Sequence, residues 1–90
     1  MAKYTNLTVS ALVKTGNGFA AGVIVNSHTG GTLKLWDNTS AATTTLVNTF
    51  TFPAGSGVYT FPSIDGRGPE FTVGLFATIG GTADITLVWK

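Results

Sequence analysis

Ninety residues with 43% hydrophobic and only 10% charged side chains make one small domain with one core, because so short a chain buries too little surface to hold two. A formal net charge of +1 supplies no basic field for a nucleic-acid backbone and no polybasic segment for an anionic membrane. With no cysteine in the chain, a disulfide-stapled miniature and a thiolate metal site are both excluded.

The usual charged share of a soluble domain is about 25%, so this surface is carried by neutral groups, sixteen Thr and twelve Gly among them. Such a surface is buried against another subunit at low desolvation cost, which favours oligomerisation. The start Met1-Ala2-Lys3-Tyr4-Thr5-Asn6 has no continuous apolar stretch, and no apolar run approaches the ~20 residues that span a bilayer. Synthesis and folding in the cytosol are therefore expected.

Period-2 alternation dominates the chain, and no stretch spaces its apolar residues at i, i+3, i+4, i+7. Leu7, Val9, Ala11 and Val13 alternate with polar neighbours, and Thr15-Gly16-Asn17-Gly18 supplies an Asn-Gly turn, which predicts a first hairpin. The returning strand runs from Phe19 to Asn26 with Val23 and Val25 on one face, and Ser27-His28-Thr29-Gly30-Gly31 turns the chain again. Leu33 and Leu35 mark a third strand with Trp36 on its polar face, ended by the turn formers Asp37-Asn38-Thr39-Ser40.

In the fourth strand Leu46, Phe50 and Phe52 share one face and Val47, Thr49 and Thr51 the other, until Pro53-Ala54-Gly55-Ser56-Gly57 stops it. Val58 to Phe61 form a short fifth strand, and Asp65-Gly66-Arg67-Gly68-Pro69 is the most irregular loop. Phe71, Val73, Leu75, Ala77 and Ile79 alternate, Gly80-Gly81 turns, and Ile85, Leu87 and Trp89 alternate back, which predicts a C-terminal hairpin. Seven to eight short strands separated by turn signals predict an all-β, single-domain antiparallel β-sandwich over residues 1–90, jelly-roll-like in topology.

Residues able to do chemistry are few. His28, the only histidine, lies in a Thr/Gly turn with no serine and carboxylate placed beside it; a solvated turn histidine is expected. The acids Asp37, Asp65, Glu70 and Asp84 show no spacing for a glycosidase pair. Asp65 and Glu70 flank one loop without the ligand pattern of a calcium site, and Asp84 is expected to pair with a lysine of a neighbouring strand. Gly16-Asn17-Gly18 and Gly30-Gly31 lack the helix and spacing of phosphate loops. No metal or cofactor site and no enzymatic activity are expected.

The stretches Val25-Asn26-Ser27, Gly31-Thr32-Leu33-Lys34-Leu35-Trp36-Asp37-Asn38, Phe50-Thr51-Phe52-Pro53-Ala54-Gly55 and Ile79-Gly80-Gly81-Thr82-Ala83-Asp84-Ile85-Thr86-Leu87-Val88-Trp89-Lys90 resemble a set of small tailed-bacteriophage proteins that look like virion structural components. The first hairpin and the Asp65–Pro69 loop lie outside the likeness. What the resemblance implies is a structural role, as capsid decoration or cement or as a head-tail or fibre accessory, with no catalytic residue to carry over.

On that reading copies associate in the infected cytoplasm, as trimers by preference, and bind the major capsid or another virion protein through many weak neutral contacts whose avidity supplies the strength. The candidate interface residues are Trp36, Tyr59, Arg67 and Trp89, since tryptophan and tyrosine anchor interfaces. The alternative is a carbohydrate-binding or host-attachment module with Trp36 and Tyr59 exposed on one face.

Overall fold

The computed structural model describes residues 3–41, 44–61 and 68–90. Seven strands form: β1 (Lys3–Leu7), β2 (Ala11–Thr15), β3 (Gly18–Trp36), β4 (Thr45–Thr51), β5 (Gly57–Thr60), β6 (Glu70–Phe71) and β7 (Gly74–Trp89). Two of them carry the rest: β3 and β7 run antiparallel from Ala20 opposite Trp89 to Trp36 opposite Phe76.

A 19-residue strand held straight would reach roughly 60 Å, yet the longest dimension of the molecule is 31 Å. The β3–β7 ribbon must fold over itself. It does so where Thr29 pairs with Thr82 and Thr32 with Gly80, so that β3 carries one residue more than β7 at the corner. Gly30 and Gly81 stand there at φ of 60° and 68°, a region that L side chains enter only at a cost.

Folding the ribbon makes two four-stranded layers from one continuous sheet. The first has the order β1, the Ile85–Trp89 half of β7, the Ala20–Val25 half of β3, then β5. The second has the order β2, the Gly74–Ile79 half of β7, the Thr32–Trp36 half of β3, then β4. β1 to β2 and β4 to β5 each cross from one layer to the other, and that connectivity is a jelly-roll sandwich. The short β6 pairs with Gly18 and Phe19 at the start of β3.

Alternation in sequence becomes burial in space. Val23 and Val25, Leu33 and Leu35, Leu75 and Ala77, Ile85 and Leu87 are all at most 1% exposed and meet between the layers with Phe71. Each of these Val, Leu, Ile and Phe side chains contributes roughly 1.5–3 kcal/mol of burial, which is why these pairs decide which way every strand faces.

The expected turns are corrected by this geometry. Ser27–Gly31 and Gly80-Gly81 do not reverse the chain; they bend two unbroken strands, so the expected C-terminal hairpin is the single strand β7. The first hairpin is absent as well, because β2 pairs with β7 and not with β3. Gly16 takes the positive φ, 95°, and its N–H donates to the Val73 carbonyl at 2.8 Å, steering the chain between layers. Arg67, the Asp65 side of the irregular loop and the rest of residues 62–67 lie outside the described residues.

Candidate interaction surfaces

Each layer has two edge strands, and β4 and β5 are the edges that the β4-to-β5 connection joins. Phe50 lies opposite the buried Leu33 and Tyr59 opposite the buried Val23, so both rings point between the layers. They meet edge to face at 5.2 Å between centroids. Phe52 continues the row at 5.6 Å from Phe50, and His28 lies 5.4 Å from Phe52. Beside this row lies a groove of about 540 Å³ between β4 and β5, lined by Val47, Phe50, Val58, Tyr59 and Phe61 together with polar Asn48, Thr49 and Thr60.

His28 is a tied residue, which corrects the expectation of a solvated turn histidine. Its Nδ1 accepts the Gly31 N–H at 3.1 Å and its Nε2 is 2.6 Å from the Pro53 carbonyl oxygen. An acceptor at Nδ1 and a carbonyl at Nε2 are satisfied together by the neutral ring protonated at Nε2. The ring thereby fastens the corner of β3 to the loop that leaves β4.

The outward face of the first layer is apolar on one side and amide-rich on the other. Tyr4 is paired with Val88, and Ile24 with Val58; Tyr4 and Val58 are 67% and 71% exposed. Between them, where Gly22 has no side chain, lies a dent of about 270 Å³ walled by Tyr4, Ile24, Val58 and Val88.

Farther along, Asn6 Nδ2 donates to Asp84 Oδ1 at 2.7 Å and to the Ile85 carbonyl at 2.8 Å, and Asn26 Nδ2 donates to the same Asp84 oxygen at 3.2 Å and to Thr86 Oγ1 at 3.2 Å. The Asn6 bond first and the Asn26 bond second hold the Asp84 carboxyl below its ordinary pKa. Two neutral amides therefore do what a lysine was expected to do.

Trp36 stands on the outer face of the second layer, since Leu33 and Leu35 point inward. Its Nε1–H donates to Thr78 Oγ1 at 2.9 Å and the Lys34 ammonium lies 4.2 Å from its ring centre, a cation–π contact. Trp89 continues the inward face of Ile85 and Leu87, closes the end of the sandwich away from the corner, and donates from Nε1 to Thr5 Oγ1 at 2.9 Å. Tyr59 is in the groove.

The candidate anchors are thus not brought together. Trp36 faces outward from one layer and Tyr59 inward from the other, so they do not form a single stacking platform. Sequence reasoning chose Tyr59 but missed Phe50, Val58 and Phe61. The signal that marks them is a run of 27 residues, Asn38 to Ile64, without one charged side chain.

Asp37 organises the start of β7. Its carboxylate accepts the N–H groups of Thr72 at 3.0 Å, Val73 at 2.8 Å and Gly74 at 3.4 Å, with the Thr72 hydroxyl at 3.3 Å. Desolvation opposes its ionisation, but the Val73, Thr72 and Gly74 amides outweigh it and leave the carboxyl below its ordinary pKa. Among the described residues no three His, Cys, Asp or Glu side chains gather in a way that could hold a metal ion.

No protein family, curated protein or solved structure matches the chain.

Proposed function

We propose that this chain is a non-enzymatic structural module that works by assembly, with itself and with a larger protein surface, as a capsid decoration or cement protein of a tailed phage does. One observation carries the reading. Large apolar side chains stand outward on a sandwich whose core is already complete: Tyr4, Val9, Leu12, Val58 and Val73 are all exposed. Charged residues are only 10% of the chain, so covering this surface strips few ions of water.

A sparsely charged, edge-bearing sandwich suits repeated weak contacts across a lattice, where many copies add their affinities. The identification with a virion rests on the resemblance stated above. Light scattering over a concentration series tests the assembly half: a mass that is a multiple of 9.3 kDa supports it, and a monomer throughout overturns it. Mass spectrometry of purified virions from the source culture tests the virion half, where the protein is expected at high copy number and its absence sinks that assignment.

A further inference from the structure

Four strands form the edges of the sandwich, and they are not alike. β1 carries Lys3 and β2 carries Lys14, the residue type that natural edges use to refuse a neighbouring strand. β2 is also bulged at Leu12–Lys14. β4 and β5 carry no charge, and neither does any other residue from Asn38 to Ile64. β4 breaks its own ladder twice, at Leu33–Leu35 and Leu35–Trp36. β5 runs in unbroken register against β3, from Gly57 opposite Val25 to Thr60 opposite Gly22. It is the one regular, uncharged edge among the described residues.

The direction of its free groups follows from the ladder. The Phe61 N–H donates to the Ala21 carbonyl at 2.9 Å, and in an antiparallel strand every second residue bonds the same neighbour. Tyr59 and Gly57 therefore also turn their backbone groups toward β3, and Val58 and Thr60 turn theirs away from it. Their side chains stand on the outer face, with Val58 71% exposed.

We infer that β5 is the edge through which two copies of this chain associate: Val58–Thr60 pairs antiparallel with itself about a two-fold axis at Tyr59. Val58 then lies opposite the partner's Thr60 and exchanges two backbone hydrogen bonds with it, and the symmetric pair does the same, giving four. The first layer becomes an eight-stranded sheet across the axis. This deepens, and rests on, the assembly reading above.

Charge selects a second copy as the occupant. No residue from Asn38 to Ile64 is charged, so the paired strands themselves set no like charges against each other, whereas a charged partner strand would lose its water and find no counter-ion on β5. Area sets the extent. A stable dimer takes roughly 800 Å² from each partner, more than a four-residue strand exposes, so the contact includes the groove rim on β4 and covers Phe50, Tyr59 and Phe61. Such an interface is isologous and closes at two copies, which replaces the expected trimer with a dimer.

Light scattering on four full-length forms tests this. Wild type is expected at twice 9.3 kDa, as is Thr8→Lys, an exposed change between β1 and β2 and away from the β5 edge. Val58→Lys/Thr60→Lys places ammonium groups opposite each other and is expected to be monomeric, with the dimer dissociation constant raised at least tenfold. Val58→Lys/Thr60→Glu sets opposite charges face to face in this register alone and is expected to be dimeric again.

A wild-type dimer that persists in the double-lysine form overturns the β5 edge while leaving the assembly reading intact. A wild-type mass of three copies, or a lysine/glutamate form that stays monomeric, overturns the two-fold register. A wild-type monomer at every concentration overturns both readings and leaves the edge to a neutral strand of another protein.

Discussion

Gly81 packs directly on Gly30: a Cβ built on Gly81 would overlap the Gly30 carbonyl oxygen, and both residues hold positive φ. The corner of the ribbon is thus a contact between two backbones with no room for a side chain on one of them. On Gly30 itself a Cβ would meet open space.

That asymmetry separates strain from crowding. Gly30→Ala carries only the backbone cost of the left-handed region, about 1–2 kcal/mol. Gly81→Ala carries the same cost plus an overlap that the corner relieves only by opening, so a loss of roughly 2–4 kcal/mol is expected. Urea unfolding of the two variants checks it, and equal losses would mean that the corner tolerates a side chain.

Fold class was legible because burial follows alternation: Val23/Val25, Leu33/Leu35, Leu75/Ala77 and Ile85/Leu87 face inward as their spacing predicts. What was illegible is that Gly30-Gly31 and Gly80-Gly81 are opposite each other. A Gly-Gly pair with positive φ serves a hairpin turn and a corner equally well, and only the pairing of Thr29 with Thr82 decides between them. The site was half legible for a similar reason. Tyr59 announces itself as an aromatic in a short strand, but the groove needs Phe50 from the other layer, and no local pattern joins residues that meet only after the ribbon folds.

His28 gives a sharp contrast with a solvated turn residue. Replacing it with alanine removes the acceptor for the Gly31 N–H, the bond at Pro53 and the ring edge on Phe52. At about 1 kcal/mol for each hydrogen bond and about 0.5–1.5 kcal/mol for the ring contact, His28→Ala should lose roughly 2.5–3.5 kcal/mol in chemical denaturation. A truly exposed side chain would lose less than about 0.5 kcal/mol, and a value in that range removes the latch.

The two tryptophans should separate in the same assay. Trp89 plugs the end of the core beside Ile85 and Leu87, so Trp89→Ala is expected to cost about 3–5 kcal/mol. Trp36 lies on the outer face with one hydrogen bond and one ammonium contact, and Trp36→Ala is expected to cost about 1–2 kcal/mol. A larger loss at Trp36 than at Trp89 would reverse their assigned places.

Acid should weaken the fold through Asp37. Its carboxyl is held below the ordinary 3.8, so the folded state prefers it ionised and the unfolded state takes up the proton first as pH falls. The sign follows: the stabilisation is whole above about 3.8 and is lost as pH falls through the lower folded value. Asp84 is lowered in the same direction and adds to the slope. Asp37→Asn keeps the shape but replaces an acceptor-only group, so at neutral pH it should lose about 1–2 kcal/mol and its stability should fall less steeply with acid. Urea midpoints from neutral pH to about pH 2, well below the ordinary carboxylate range, check both. A variant with the wild-type acid slope would show that the amides of Thr72, Val73 and Gly74 hold the Asp37 carboxyl equally well with and without its charge.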